Sequence, residues 1–321
     1  MILKAKALLA GLATWIPGYD YNRTTGGTNS ARYCYSVWLR HLILAQESGR
    51  LPAGVPRVVA ELGPGDSIGI GVAALLSGAE KYFALDLVPY SDLRRTRELF
   101  DELVQLFEER HPVPGGGEFP ALKPALESDE FPRHILDDAT LRAALDLARV
   151  AQIRAAIEHA ADAPTMIVYQ APWNDPAVIQ PGSVDFIFSQ AVLEHIDDLD
   201  GVYAAMRRWL RPAGLMSHQI DFQCHRKADT WNGHWTYSDF AWKVVVGRRA
   251  YLLNRAPHSR HLAMLAKNGF EVVIDRPVRT TSVLKRRQLA ARFRELSDED
   301  LTTSGAYLVA APAAEKRASA P

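Results

Sequence analysis

The sequence lacks the features that mark several large protein classes. Two cysteines in 321 residues, Cys34 and Cys224, are too few for a disulfide framework or a thiolate zinc site, and they fit a reducing compartment. No apolar run approaches the roughly 20 residues that a membrane-spanning helix needs. Neither sign of charge is in excess. The 37 basic side chains offset 37 acidic ones, which removes the broad electrostatic footprint of a nucleic-acid binder while leaving room for a local patch. Lys4 and Lys6 followed by Ala7 to Ala13 resemble the core of a short secretion signal, but Pro17-Gly18 breaks the run and no cleavage site follows. A cytoplasmic protein without stable membrane insertion and without a nucleic-acid partner is expected.

What is present is an alternation of short apolar runs with helical pattern. Residues 1–55 read as an N-terminal helical segment, with Asn29-Ser30 placed to cap a helix over 31–47 whose Arg40 and His41 lie off the apolar face. The polar, aromatic stretch Tyr19 to Thr28 between them reads as a loop. Val58 to Leu62 is an apolar strand running into Gly63-Pro64-Gly65, a small-residue helix follows, and Tyr82 to Leu85 is a second strand ending in Asp86. Residues 91–163 interrupt the alternation for longer than a crossover needs, which predicts a helical insertion placed to cover the sheet edge. Strands resume at 165–169, 184–189 and 215–222, with a helix from about Ala191 to Leu210 between the last two. A sixth strand is expected at 270–274 and a last one at 306–310, with a disordered Ala- and Pro-rich tail over 311–321. One doubly wound α/β domain over 56–310 follows from this order.

Glu61-Leu62-Gly63-Pro64-Gly65 stands at a strand's carboxyl end, where glycines let the backbone turn tightly and let a ligand approach without a Cβ in the way. The spacing is not Gly-x-Gly-x-x-Gly, and a carboxylate two residues before the first glycine suits a cationic group better than a phosphate. Asp86 lies about 20 residues further on, at the end of the second strand, where a carboxylate accepts ribose hydroxyls. Together these two features point to a nucleoside-containing ligand.

As an ordered set, Glu61 to Gly65, Asp86, Gly182 to Ser189 and Val192-Leu193-Glu194-His195-Ile196 resemble the successive motifs of class I S-adenosylmethionine-dependent methyltransferases. Leu210-Arg211-Pro212-Ala213-Gly214 is similar to the turn entering that family's fifth strand. The resemblance covers about 58–90 and 165–222. It implies a mostly parallel, seven-stranded Rossmann-like methyltransferase sheet and S-adenosylmethionine as cofactor. It also implies Glu61, Gly63 and Gly65 around the methionine portion, Asp86 on the ribose, and Ser189 and Gln190 beside the sulfonium. Many relatives carry an Asp after the third strand for the adenine; here Gln170-Ala171-Pro172 stands there, and backbone groups near Ala171 take its place. Ser67 stands where many relatives have a third glycine. Ser217 to Asp221 and Asn254-Arg255 more loosely resemble bacterial methyltransferases of surface-glycan synthesis.

Methyl transfer to a hydroxyl benefits from a base, and His195, Asp221 and His225 stand at strand ends where one is needed. His218, Asp221 and His225 also raise a metal cluster, which the sequence order does not establish, and no metal is assigned. Trp231, Trp235 and Trp242 suit either sugar stacking or packing of the sheet's flank. The expected activity is O-methylation of a small molecule, sugar or glycan. Two alternatives are a nicotinamide-dependent oxidoreductase and a cofactor-binding regulator without catalysis, for which the helical additions would supply a homo-oligomeric interface.

Overall fold

A computed structural model describes residues 2–18, 27–51, 54–160, 165–173 and 175–314. Seven strands form one sheet: β1 (Val58–Leu62), β2 (Lys81–Leu85), β3 (Ile167–Gln170), β4 (Val184–Gln190), β5 (Leu210–Asp221), β6 (Phe270–Arg279) and β7 (Thr303–Pro312). Their spatial order is β3-β2-β1-β4-β5-β7-β6, parallel except for β7, which runs antiparallel to both neighbours. The helices are α1 (Ile2–Ala13), α2 (Ala31–Gln46), α3 (Gly69–Leu76), α4 (Leu93–Glu108), α5 (Asp138–Ala144), α6 (Leu147–Glu158), α7 (Leu199–Trp209), α8 (Asp239–Val246), α9 (His258–Lys267) and α10 (Asp298–Thr302).

The central strands read as unbroken apolar runs because both faces are covered. One core joins the sheet to α2, α3, α4, α5 and α6, and the other joins it to α7 and α9. Both last strands are longer than their apolar runs suggested, and β7 extends through Ala311 and Pro312, which the sequence reading had placed in a disordered tail. Residues 315–321 of that tail lie outside the described residues, as do 19–26 of the expected polar loop.

Two local expectations change. Ser30 caps α2 as its position suggested, but α2 is enclosed on all sides and Arg40 and His41 are buried. The cause is the stretch after α4. It wraps α2 instead of covering the sheet edge: Ser36 donates to Pro114 O at 2.6 Å, Tyr35 to His111 O at 2.6 Å, and Arg40 to Pro124 O. Helix α7 begins at Leu199, not near Ala191. Ala191 sits in the left-handed region at φ 54°, the chain makes a short 3-10 turn over Leu193–His195, and Asp198 caps α7 by accepting from Gly201 N at 2.9 Å.

Beneath the first turn lies a polar contact that the packing makes possible. The Tyr82 side chain crosses α3 to donate to Glu61 Oε2, passing over Gly71, where a Cβ would stand 1.9 Å from the ring. Gly71→Ala should therefore overpack this layer and cost about 1–3 kcal/mol, measured as a lowered denaturant midpoint with unchanged m-value.

Candidate active site

The carboxyl ends of β1, β2 and β4 open into a cavity of about 480 Å³. This is the position where open α/β sheets bind ligands, because strand order reverses there and the connections diverge. Gly63 and Gly65 form its floor with φ 65° and 81°, conformations an L side chain resists. Gly63 also lacks room, since a Cβ there would lie 2.6 Å from Val192 Cγ2. The glycine turn is thus in direct contact with the chain leaving β4. A second wall comes from far earlier in the sequence: the Thr28 hydroxyl donates to Pro64 O at 2.8 Å, and Gly27 N donates to Asp66 Oδ2 at 3.1 Å. Ser67, in place of a third glycine, donates its hydroxyl back to Thr28 O.

Asp86 lines the cavity at the end of β2. It accepts from Leu87 N at 2.9 Å, and burial pushes its carboxyl up to about 6. A desolvated carboxylate with acceptor capacity left over is suited to a pair of hydroxyl donors. Leu87 and Trp173 supply flat apolar wall beside it, and Trp173 N donates to Asp86 O at 2.9 Å. These features fit the ribose, adenine and methionine portions of S-adenosylmethionine.

On the opposite side, His195 and His225 line the same cavity with ring centroids 5.3 Å apart. His225 and Arg226 both take left-handed backbone, φ 44° and 62°, which folds the chain after β5 back on itself. That fold brings His225 Nε2 to 3.0 Å from Asp221 Oδ2. Asp221 does not itself line the cavity; it reaches it through His225. Burial first, then the neighbouring His225, lowers the His195 imidazole to about 4, and its Nδ1 has no hydrogen-bond partner. The turn carrying His195 is held by Asn254, whose side chain donates to Leu193 O at 2.8 Å and Ile196 O at 2.7 Å. Behind it, burial and the nearby Asp221 raise the Glu194 carboxyl well above its usual range.

Of the residues expected at the site, Gly63, Gly65, Asp86, Gln190, His195 and His225 line the cavity, whereas Glu61, Ala171 and Ser189 do not. Glu61 lies below the turn against Tyr82, and burial pushes its carboxyl up to about 8. Ser189 faces inward to His218 Nδ1 at 2.8 Å, which also takes His218 away from Asp221 and His225. Among the described residues no group of three potential ligands converges on a metal position. Of the two readings open for the tryptophans, packing fits the contacts: Trp231, Trp235 and Trp242 donate to the carbonyls of Thr281, Arg255 and Leu253. The sequence reading missed Tyr33, Lys227, Arg249 and Tyr251, which complete the cavity from distant segments with no shared motif.

Comparison with known proteins agrees with this geometry. Residues 141–217 match the family model described as a methyltransferase domain. That match covers less than half of the chain; the seven-stranded, mostly parallel sheet with β7 alone antiparallel is of the Rossmann-like methyltransferase kind. The matched model is of a methyltransferase domain, and the cavity's Gly63, Gly65 and Asp86 fit S-adenosylmethionine as its ligand. Similar solved structures include a methyltransferase from Mesorhizobium loti, 15% identical, with 82% of this chain and 94% of that chain covered and a TM-score of 0.40. Another is a putative sarcosine dimethylglycine methyltransferase from Galdieria sulphuraria, 10% identical, with 88% and 86% covered and a TM-score of 0.45. A phosphoethanolamine N-methyltransferase from Haemonchus contortus is 15% identical, with 89% of this chain and 58% of that one covered and a TM-score of 0.42. No curated protein matches the sequence.

Two outcomes follow. Asp86→Ala should weaken S-adenosylhomocysteine binding about 10–100-fold by calorimetric titration, the range for a charged hydrogen-bond acceptor. Glu61, with its carboxyl raised from 4.5 to about 8 on folding, holds a proton in the native state that the unfolded chain releases. Its contribution is complete below pH 4.5 and is lost as pH rises to 8. The buried imidazoles of His41, His218, His234 and His261, each lowered to about 3, act in the opposite sense and lose stability as pH falls below 6.5. The ligand-free melting temperature should therefore peak near neutrality, and Glu61→Gln should flatten its decline between pH 6.5 and 8.

Proposed function

We propose that this methyltransferase acts on a hydroxyl of a small molecule, sugar or glycan, with the His225–Asp221 pair as the proton-accepting group. The observation that carries this reading is the 3.0 Å contact of His225 Nε2 with Asp221 Oδ2, in the cavity that also contains Gly63, Gly65 and Asp86. When bound, S-adenosylmethionine supplies a methyl group on a cationic sulfonium, a leaving arrangement that needs alignment more than activation. The chain's own task is to place the acceptor oxygen and remove its proton. Asp221 fixes the His225 ring with one nitrogen toward the carboxylate and leaves the other for the acceptor proton. His195, lowered to about 4, is uncharged at neutral pH and places a neutral ring on the cavity wall beside His225. Gln190, whose amide donates to Gln219 Oε1 at 2.6 Å, borders the junction of the two halves.

The far wall adds a preference for acceptor charge. Lys227 and Arg249 line it, and burial, then Arg249, lowers the Lys227 ammonium. Lys227 has no ion-pair partner among the described residues, so an acceptor bearing a phosphate or carboxylate would complete it. A sugar phosphate or acidic glycan unit has both that charge and hydroxyls. Buried free thiols at Cys34 and Cys224 fit a cytoplasmic setting for this chemistry.

The test separates binding from turnover. With an acceptor found by screening sugar phosphates and nucleotide sugars, His225→Ala and Asp221→Asn should lower kcat about 10²–10⁴-fold, the range for a lost general base. Their affinity for S-adenosylhomocysteine should stay within a few-fold of the parent. Retained turnover in His225→Ala would remove His225 from the reaction.

A further inference from the structure

The first helix leaves an apolar stripe in solvent. Leu9, Leu12, Trp15 and Ile16 are 65%, 54%, 62% and 59% exposed, and Phe240 on the adjoining α8 is 78% exposed. These five are more than half of the large hydrophobic side chains that stand exposed among the described residues. Leu9 and Leu12 stand three residues apart on one face of α1, and Trp15 and Ile16 follow in the turn beyond Ala13.

The helix cannot roll to hide this face. Its inner side is locked against α8 at Gly11, where a Cβ would lie 1.9 Å from Val244 O. Ala7 is buried there, and Thr14 Oγ1 accepts from Arg248 N at 2.9 Å. Arg249 donates to Ala10 O at 3.2 Å from the wall of the cavity, so α1 sits beside the cavity rim.

The unpaired charge around the stripe is cationic. No acidic residue occurs before Asp20, whereas Lys6, Lys243 and Arg248 are exposed. The Arg248 guanidinium lies 5.7 Å from the Trp15 ring centroid. The one carboxylate on α8, Asp239, is already engaged by Arg255 and Arg292. None of the three exposed cations has an ion pair among the described residues. Apolar side chains with a tryptophan, rimmed by unpaired cations, match the headgroup region of an anionic bilayer, where rings and alkyl groups sink about 5–10 Å and cations meet phosphates.

We propose that α1 docks this protein onto an anionic lipid surface, with Leu9, Leu12, Trp15, Ile16 and Phe240 among the headgroups and Lys6, Lys243 and Arg248 against lipid phosphates. Docking would hold the cavity rim near the membrane plane, within reach of an acceptor carried by a lipid.

Flotation of the full chain with vesicles tests this, comparing phosphatidylcholine alone with equal parts phosphatidylcholine and phosphatidylglycerol. Binding is expected to the mixed vesicles, weakening with added salt, and much less to the neutral ones. Leu9→Ser with Leu12→Ser should cut binding about tenfold or more. Lys6→Gln and Arg248→Gln should each cut it about fivefold. Circular dichroism and unchanged S-adenosylhomocysteine affinity establish that the variants are folded. Absence of vesicle binding, or equal binding by parent and the double serine variant, overturns the proposal. So does a parent oligomer in sedimentation that the double serine variant converts to monomer, because the stripe would then be a protein interface.

Discussion

The site depends on one close contact, Gly63 against Val192. β1 and β4 are neighbours in the sheet, but neighbouring strands alone only bring two chain ends to the same edge. Because Gly63 carries no side chain, the chain leaving β4 settles directly onto the turn leaving β1. The half of the cavity that carries Asp86 and the half that carries His195 then share one volume. Everything else is arranged around that seam. Thr28 closes it from the N-terminal side, Asn254 fixes the turn above it, and the backbone reversal at His225 and Arg226 brings a histidine to its far wall.

In its interior the protein keeps a set of titratable groups out of water. Glu61, Glu194 and the imidazoles of His41, His218, His234 and His261 are all buried, and in each the uncharged form is favoured. Several are bonded in pairs, such as Glu61 with Tyr82, His218 with Ser189 and His41 with Ser217 at 2.7 Å. Neutral polar pairs in a low-dielectric layer give direction to the packing that apolar contacts alone do not. Held uncharged, they add no unpaired charge to the core.

The sheet was legible because a buried parallel strand leaves a compact trace. Val58 to Leu62 and Val184 to Ser189 are apolar runs ended by glycine or polar turns, and each lies where the fold puts a strand. Gly63, Gly65 and Asp86 could be read for the same reason: a local motif fixes their place at strand ends. Groups set by long-range packing had no such trace. Nothing near Glu61 reveals that Tyr82 will take its carboxyl. Nothing in the 31–47 helix reveals that a stretch some 80 residues later will bury Arg40. The start of α7 was misplaced because Ala191 adopts a backbone conformation that its residue type does not advertise. The tryptophans near 231–242 read equally well as a sugar platform or as core, and only the direction of their indole N–H groups separates the two.

The antiparallel β7 has a bearing on how the chain is made. It is the last strand in sequence, yet it lies between β5 and β6 and all ten of its residues are buried. Until Pro312 has emerged from the ribosome, β5 and β6 cannot pair through it, and each exposes an open edge to neighbouring chains. A chain in which β7 has not yet formed therefore keeps an unpaired edge on both β5 and β6.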